Sequence, residues 1–270
     1  AIDDVDAIAV TVGPGLIGSL LVGVETAKTL AFAWNKPIIP INHLVAHLYA
    51  NWLEASSQPP MFPALCLVVS GGHTDLVLMK NHGKLEYLGG TRDDAAGECF
   101  DKTARLLELA PFNGGPAIAA AAAKCKMNNE QCTIKLPRPM INSGDLEMSF
   151  SGLKTAVLYE VEKLKTMNQF NNETINYLAY EIQESITDVL VKKVIRAAKV
   201  YQPKSILLAG GVSANQRLKE KMELEIKNLK LEISLFIPPP KLCTDNASYI
   251  ASCAFFNYHP IPWQKITADP

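Results

Sequence analysis

A chain of 270 residues with 48% hydrophobic and 20% charged residues can form one large domain or two lobes with real cores. Its 26 Lys and Arg against 27 Asp and Glu give a net charge of −1, which excludes a generally basic coat for nucleic acid. Any RNA contact must therefore come from a local patch or from a partner subunit. No run approaches the roughly 18 apolar residues of a membrane span, and no signal peptide is recognisable, so we expect no membrane association.

The six cysteines have no C-x-x-C spacing, and several have apolar neighbours, as in Leu65-Cys66-Leu67. Cysteines in such surroundings are typically small buried hydrophobic side chains. This pattern favours a reducing compartment over a disulfide scaffold, so we expect a cytoplasmic protein. The cysteines are Cys66, Cys99, Cys125, Cys132, Cys243 and Cys253.

The N-terminal part predicts a strand over 7–12, a helix over 20–34 and a second strand over 37–41, which leads into a short helix. His43 and His47 lie four positions apart on that helix and therefore on one face, close enough to hold one divalent metal. A hydrogen-bonded histidine pair on a half-buried helix is the alternative, because short motifs match by chance. Asp245, which follows a proline-rich run and begins a late helix, is a plausible third ligand.

Three glycine-rich turns each follow an apolar, β-prone segment. They are Gly13-Pro14-Gly15, Ser70-Gly71-Gly72-His73 and Gly210-Gly211-Val212-Ser213-Ala214-Asn215. Glycine lets backbone N–H groups approach a phosphate, and a following helix N-terminus adds partial positive charge. Tight strand-to-helix turns also use glycine for structural reasons alone, but three such turns in one chain favour phosphate binding.

The rest of the chain continues the alternation of strands and helices. A linker is predicted at 56–60, a β-hairpin at 64–69 and 74–79, and helices at 101–109 and 119–123. A polar loop over 168–173 precedes a long amphipathic helix over 174–200 with apolar residues at a helical period. The charged cluster Lys192, Lys193, Arg196 and Lys199 is expected on its solvated face. Together these elements indicate the α/β class.

Eight segments, in this order, carry a family resemblance: GPGLIGSLLVGVETAKTLA, INHLVAHLYA, SGGHTDL, DDAAGECFDKTARLL, NGGPAI, SFSGLKTAV, AGGVSAN and CTDNASYIA. The chain resembles the tRNA N6-threonylcarbamoyladenosine transferase family, once labelled O-sialoglycoprotein endopeptidases, from Val5 to about Ala254. The resemblance implies the two-lobed fold of the actin, hexokinase and Hsp70 ATPase superfamily, with the first lobe truncated. The boundaries we predict are 1–61 for the remainder of the first lobe with the metal helix, 62–247 for the second lobe, and 248–270 for a C-terminal helix and tail.

The resemblance also implies an activity. Such an enzyme transfers threonylcarbamoyl from threonylcarbamoyl-AMP to N6 of adenosine 37 in tRNAs that read codons beginning with A. The implied metal ligands are His43, His47 and Asp245, with Fe2+ as the expected ion and Zn2+ as the alternative. The implied partners are tRNA, a paralogous dimerisation subunit and a small ATPase subunit as in bacterial relatives, or a second copy of the chain.

By motif match, the substrate site includes Val68, Val69, Ser70, Gly71, Gly72, Asp101, Gly115 and Asn215. Asp101 would accept hydrogen bonds from ribose hydroxyls, although a carboxylate near a helix N-terminus is an equal alternative. His73 follows the double glycine and can touch phosphate or shuttle a proton at neutral pH. We take His73 as the catalytic candidate, with a structural histidine that caps the hairpin as the alternative.

Two departures from the family pattern stand out. Ala119 occupies a position that is normally acidic and contacts the sugar, and one extra residue lies between Asp101 and Gly115. The chain also begins after the family's opening Gly-Ile-Glu-Thr-Ser segment. We therefore expect an incomplete first lobe with an unpaired edge on the strand at 7–12.

Rival functions remain open from the sequence alone. A metalloprotease would need a glutamate next to the first histidine, where this chain has Leu44. A sugar or acetate kinase would share the glycine turns without needing the two histidines and the late aspartate. A catalytically impaired scaffold, or another nucleotide-binding protein of the superfamily, is the remaining alternative.

Overall fold

The computed structural model describes residues 2–53, 58–125, 134–229 and 232–270. Cys132 and part of the predicted linker at 56–60 lie outside these ranges, and none of the five described cysteines forms a disulfide. In chain order the elements are β1 (Ile8–Gly13), α1 (Ile17–Trp34), β2 (Ile38–Asn42), α2 (His43–Leu48), β3 (Ala64–Val69), β4 (Thr74–Asn81), β5 (Lys84–Gly90), α3 (Ala96–Leu106), α4 (Gly114–Ala122), α5 (Ser151–Thr166), α6 (Asn172–Tyr201), β6 (Ser205–Ala209), α7 (Gln216–Leu229), β7 (Ser234–Phe236), α8 (Pro240–Cys243) and α9 (Ala247–Phe256).

A small parallel sheet comes first along the chain. β1 pairs with β2 in the register Ile8 to Ile38, and α1 is the crossover between them. The helix buries Leu20, Val24 and other residues three or four positions apart, which is the stripe expected of a helix on a sheet. The predicted strand, helix and strand are therefore confirmed. In the described chain β1 pairs with β2 on one side only, as expected for an exposed edge.

The larger sheet has the strand order β5-β4-β3-β6-β7. β3 and β4 are antiparallel, which confirms the predicted hairpin, whereas β3 and β6 are parallel neighbours. Every residue of β3 and β6 is buried, as in a sheet that is covered on both faces. Because the carboxyl ends of parallel strands meet at one edge, the turns that follow β3 and β6 become neighbours.

The two faces of the larger sheet pack against different layers. Leu65, Leu67 and Val69 join the core formed with α3, α4, α5 and α6. Cys66 and Val68 face the other way, into a core that includes residues of α2 and α9. The histidine helix therefore lies on the opposite face of the sheet from the long helix α6.

Three details differ from the sequence-based predictions. α3 begins at Ala96 rather than at 101, and α4 begins at Gly114 rather than at 119. Pro116 is compatible with this because proline is tolerated in a first helical turn. Lys193 is fully buried and donates hydrogen bonds to Ser143 Oγ and the Asp145 carbonyl oxygen at 2.6 and 3.0 Å, so its place on the solvated face was wrong.

The C-terminal segment packs against the small sheet. α9 contacts α2, β1 and β2, and the chain beyond it forms a bridge from Ile261 to Ile38. The Asp269 N–H also donates to the Val12 carbonyl oxygen at 2.7 Å. The domain boundaries stay predictions. Among the described residues, no helix combines the length and apolar character needed to cross a membrane.

A candidate metal centre beside two glycine turns

The helix α2 presents both histidines at one point. Asn42 caps it by accepting a hydrogen bond from the Val45 N–H at 3.1 Å, which fixes where the helix begins. The rings of His43 and His47 then meet edge to face, with 4.6 Å between ring centroids and 3.3 Å between the Nε2 atoms. Nε2 of each ring therefore points into the same small space.

Asp245 reaches that space from the far end of the chain. It lies between α8 and α9, where Asn246 caps α9 by accepting from the Ser248 and Tyr249 N–H groups. Asp245 Oδ1 is 3.6 Å from His43 Nε2 and 3.5 Å from His47 Nε2. The Tyr249 hydroxyl donates to the same oxygen at 3.3 Å, which steadies the carboxylate.

The spacing of these three atoms fits a metal ion. Metal–ligand bonds of about 2.0–2.2 Å in a tetrahedral arrangement separate neighbouring ligand atoms by roughly 3.3–3.6 Å. The observed separations of 3.3, 3.5 and 3.6 Å match that range. Two imidazoles and one carboxylate leave a coordination position open, which is the pattern of catalytic rather than structural sites.

Burial keeps His47 in the neutral form that can bind a metal ion. Desolvation, followed by the proximity of His43, lowers the pKa of His47 to about 4, although Asp245 partly opposes the shift. His47 is therefore neutral at physiological pH, which is the form that ligates metals. Its Nδ1 is buried without a hydrogen-bond partner in the described part of the chain, whereas its Nε2 faces His43 and Asp245 and is the nitrogen that can reach a metal.

Two of the three glycine turns are in contact. Gly210, at the end of β6, has a φ of +89°, and a Cβ there would come closer than 3.0 Å to the Val69 carbonyl oxygen. Glycine is therefore required at this position for both reasons. By contrast, an added Cβ on Gly71 or Gly72 would meet no described atom within 4 Å. The backbone of the Ser70-Gly71-Gly72 turn thus faces open space.

The N-terminus of α3 packs against the Ser70-Gly71-Gly72 turn. The Gly97 N–H donates to the Ser70 carbonyl oxygen at 3.2 Å, and the Ala96 N–H donates to Thr74 Oγ1 at 2.9 Å. A Cβ on Gly97 would clash with Ser70 and Gly71. The positive end of the α3 dipole is consequently held against the turn.

Two of the predicted substrate-binding residues, Asp101 and Gly115, lie in α3 and in the first turn of α4. Asp101 is inside α3, and its Oδ1 accepts the Gly114 N–H at 2.6 Å. The carboxylate therefore stabilises the N-terminus of the next helix, α4. This is the structural role that the sequence left open for Asp101. Its second oxygen is available to another donor, and an added Cβ on Gly115 would meet no described atom within 4 Å.

Asn215 ends the turn after β6 and is held at both ends of its amide. Its Oδ1 accepts the Leu218 N–H at 3.0 Å, and its Nδ2 donates to Gln183 Oε1 at 3.1 Å. Gln183 was not among the predicted site residues. It is one of many polar residues on α6, and no local motif marks it.

His73 belongs to the sheet face that looks toward α2. Val68 pairs with Asp75, and residues 73 and 75 alternate with the oppositely directed Thr74. His73 is close enough to His47 to lower the pKa of that ring further, and it partly offsets the pKa rise that burial imposes on Asp75. The catalytic candidate therefore lies in the turn itself and near the metal ligand His47, with Asp75 as a neighbour that no sequence motif marks.

A sulfur–hydroxyl contact connects the turns to the metal ligands. Ser213, in the turn after β6, lies with its Oγ 3.3 Å from the Sγ of buried Cys243. Cys243 is two residues before Asp245. The chain segment that carries the third ligand is thus anchored to the turn that carries Asn215.

The remaining turn, Gly13-Pro14-Gly15, opens on a cleft of about 1000 Å³. The cleft is also lined by Thr11, Ser19, His43 and Asp245, so two of the three candidate metal ligands are accessible from it. This turn belongs to the small sheet and does not join the contact between the other two. The three turns predicted from sequence therefore divide into a contiguous pair and a separate third.

The fold and the site together define a class of protein. The two-sheet α/β architecture is similar to HypF from T. kodakarensis, with a TM-score of 0.64 and 12% identity over 94% of this chain and 41% of that one. Full-length HypF in its phosphate- and nucleotide-bound form gives a TM-score of 0.58 and 11% identity over 88% and 38% of the two chains. This likeness confirms the predicted α/β fold.

Sequence comparison narrows this class to a family. The model of the family described as tRNA N6-adenosine threonylcarbamoyltransferase matches residues 1–252. The protein of that name from Syntrophomonas wolfei is 50% identical over 254 residues, which cover 94% of this chain and 71% of the relative. The one from Dehalococcoides mccartyi strain BAV1 is 49% identical over 257 residues, or 95% and 73%. The chain belongs to the tRNA N6-adenosine threonylcarbamoyltransferase family, a family of transferases.

Proposed function

We propose that this protein transfers the threonylcarbamoyl group from threonylcarbamoyl-AMP to N6 of adenosine 37 in tRNAs that read codons beginning with A. The observation that carries the proposal is the convergence of His43, His47 and Asp245 beside the contiguous glycine turns, in a chain of this family. In the reaction, N6 forms a bond to the carbamoyl carbon. The bond from that carbon to the phosphate oxygen breaks, AMP leaves, and N6 loses a proton.

The metal proposed for the three ligands is Fe2+, with Zn2+ as the alternative. Two histidines and one carboxylate with open positions suit Fe2+, and the same donors suit Zn2+. When bound, the ion supplies a Lewis acid that withdraws charge from the carbonyl group under attack. His47 contributes a neutral imidazole at physiological pH, and Tyr249 holds the Asp245 oxygen.

The AMP portion is proposed to lie along the paired turns. The exposed backbone of Ser70-Gly71-Gly72, with the N-terminus of α3 beneath it, offers partial positive charge to a phosphate. Val68 and Val69 lead into that turn from β3. The free Asp101 oxygen, the open backbone at Gly115 and the Asn215 amide are proposed to bind the adenosine. Ala119 supplies no carboxylate, so Asp101 carries the sugar contact that a second acidic residue would share.

His73 is proposed to accept the proton that N6 releases. Its place in the turn after β3, close enough to His47 to affect that ring, supports this role. The hydrogen bond from its own N–H to Ser70 Oγ at 3.2 Å fixes its backbone against the turn. An adenine amine is a weak nucleophile, so positioning should contribute more to the rate than base strength does.

The partners and the compartment are also proposals. Overall charge balance leaves tRNA to a local patch or to a partner subunit. Leu16, Val22 and Phe32 on α1 are 81, 71 and 71% exposed, which supports a protein partner on this helix. The partner would be a paralogous dimerisation subunit that works with a small ATPase subunit, or a second copy of the chain. Free cysteines support a reducing, cytoplasmic location.

The test combines metal analysis with a transfer assay. The wild-type chain, loaded with Fe2+ or Zn2+, is incubated with threonylcarbamoyl-AMP and tRNA, with the partner subunits supplied from a bacterial relative. His47→Ala should lose bound metal and reduce transfer by more than the roughly 10–100-fold loss caused when partners of metal ligands are changed. His259→Ala, at an exposed histidine, is the matched control and should change neither.

Two results would contradict the proposal. Equal metal content in wild type and His47→Ala would remove the ligand assignment. Absence of threonylcarbamoyl-adenosine from tRNA digests, under conditions in which the relative used as a positive control modifies the same tRNA, would remove the activity.

A further inference from the structure

We propose that Gln183 is a positioning residue for the nucleotide, acting through Asn215. This inference rests on the proposed function, because it concerns how the AMP portion of the substrate is bound. Gln183 is 8% exposed on α6, and its Oε1 accepts the hydrogen bond from Asn215 Nδ2 at 3.1 Å. The consequence is a fixed amide plane at the end of the turn after β6.

The hydrogen bonds of Asn215 determine which end of its amide is which. An asparagine amide has one acceptor oxygen and two N–H donors. The oxygen accepts the Leu218 N–H at 3.0 Å, so a flipped amide would set N–H groups against that N–H donor. One of the two Nδ2–H groups is given to Gln183. The second is the remaining side-chain donor that Asn215 can give to a nucleotide.

Without Gln183, the direction of that remaining donor is poorly determined. The terminal torsion of asparagine is broad, so one hydrogen bond to the oxygen allows the plane to rock about its axis. A second hydrogen bond at the nitrogen end defines the plane with two fixed points. The role of Gln183 is therefore to reduce the loss of side-chain freedom when a ligand binds Asn215.

The helix that carries Gln183 is a rigid support. Ile182 and Ile186, on the same helix, are fully buried, and the Thr187 hydroxyl donates to the Gln183 carbonyl oxygen at 2.7 Å. The next residue, Glu184, forms hydrogen bonds of 2.7 and 3.0 Å to Arg217. Gln183 and Glu184, which are consecutive on α6, therefore hold Asn215 and Arg217.

These neighbouring contacts differ in charge, and the difference indicates separate roles. The Glu184–Arg217 ion pair already fastens α7 to α6, so the segment does not need Gln183 as a second clamp. A carboxylate at 183 would accept the same hydrogen bond from Asn215. It would, however, place negative charge beside a site proposed for an anionic nucleotide, whereas a neutral amide orients Asn215 without that repulsion.

The test measures AMP binding by calorimetry in four variants of the full chain. Gln183→Leu removes the acceptor at similar size and should weaken AMP binding about fivefold, the equivalent of one neutral hydrogen bond. Asn215→Ala should weaken it at least as much. In the double variant the second change should add almost nothing, because Gln183 acts through Asn215. Glu184→Gln is the matched control, which should lower stability while leaving AMP affinity unchanged.

Steady-state kinetics should show the same division. Gln183→Leu should raise KM for threonylcarbamoyl-AMP with little change in kcat, because the contact serves the bound nucleotide rather than the reacting carbonyl. Gln183→Glu retains the hydrogen-bond acceptor but should weaken AMP binding at neutral pH, because its carboxylate repels the anionic nucleotide. At low pH the carboxyl at 183 is protonated, so part of the AMP affinity should return. If Gln183→Leu does not fold, Gln183→Met, which keeps the unbranched shape, is measured in its place.

The outcomes separate this inference from the proposed function. If Asn215→Ala weakens AMP binding but Gln183→Leu does not, the positioning role is wrong and the nucleotide site stands. If the two losses add in the double variant, Gln183 acts elsewhere and the inference is also wrong. If Asn215→Ala leaves AMP affinity unchanged, the nucleotide role proposed for Asn215 fails and this inference fails with it.

Discussion

The two sheets of this molecule are covered to different degrees. In β3 and β6, at the centre of the larger sheet, every residue is buried. In β1 of the small sheet, Val10 and Gly13 are buried, whereas the other positions are partly exposed and several of them line the cleft. Both faces of the larger sheet's central strands are covered, while β1 of the small sheet is covered only in part. The first region is a closed core and the second is an open surface.

The functional groups lie where these regions meet. The candidate metal ligands come from α2, directly after the small sheet, and from the loop before α9, which packs against that sheet. The glycine turns and Asn215 come from the carboxyl edge of the larger sheet. The close-packed core fixes the backbone of the glycine turns, and the cleft along β1 opens onto His43 and Asp245. The site therefore needs both regions but uses them for different purposes.

The largest predicted difference between the regions is in stability. Leu67 is fully buried in β3, so Leu67→Ala should lower the free energy of unfolding by about 2–5 kcal/mol through lost burial and the cavity left behind. Val22, 71% exposed on α1, loses little contact, and Val22→Ala should change stability by less than about 0.5 kcal/mol. Urea denaturation of both variants checks this. Equal losses would show that the open face of α1 is covered in solution.

A smaller effect on the free energy of unfolding is predicted for the ion pairs that join α6 and α7. Burial opposes ionisation of Glu184, but hydrogen bonds from Arg217 and Lys221 outweigh it and lower the pKa of this carboxyl below its ordinary 4.5. A lowered folded-state pKa stabilises the fold at pH values above 4.5, and the contribution is lost as pH falls through the folded-state value. Glu184→Gln should therefore reduce the free energy of unfolding at pH 7 by about 1–3 kcal/mol.

The pH dependence distinguishes this prediction from a general packing defect. The gap between wild type and Glu184→Gln, measured by urea denaturation, should narrow as pH is lowered below 4.5, because wild-type Glu184 also becomes neutral. Glu223→Gln removes an exposed partner of Lys219, 3.9 Å away on the same helix, and serves as the control with almost no cost. A gap that stays constant with pH would indicate that the charge of Glu184 is not responsible.

Much of the fold could be predicted from sequence because the local signals agree with the final packing. The apolar run at 64–69 and the alternation after it specify a hairpin around the double glycine, and the small sheet follows from its strand–helix–strand pattern. Lys193 was misplaced because its partners, Ser143 and Asp145, are some 50 residues away. A charged residue at a helical position looks solvated until the loop that covers it is known.

The candidate site divides in the same way. His43 and His47 could be identified because four-residue spacing on a helix is a local geometric fact. Asp245 was a plausible third ligand from its place after the proline-rich run, and the family resemblance implied the same residue. Gln183 could not be identified, because its importance depends on one hydrogen bond across the fold. Tyr249 lies only four positions after Asp245, but no local pattern indicates that its hydroxyl reaches the carboxylate. Gln183 and Asn215 are 32 residues apart, and nothing in the composition of either segment specifies that their amides meet.

The smallest predicted effect concerns self-association through the open region. Leu16, Ile17, Leu21 and Val22 expose 81, 48, 47 and 71% of their surface along the first turns of α1, next to the open edge of β1. Removing such apolar surface from water is favourable at about 25 cal/mol per Å², so wild-type chains should associate weakly as concentration rises. Val22→Glu places a charge in the middle of this surface and should shift the average mass seen by sedimentation toward the monomer. Tyr159→Glu, at a 65% exposed residue on α5 beside the closed core, should leave the mass distribution unchanged. If Tyr159→Glu disperses the chains as effectively as Val22→Glu, net charge rather than the α1 surface controls association, and the contrast between open and closed regions does not extend to assembly.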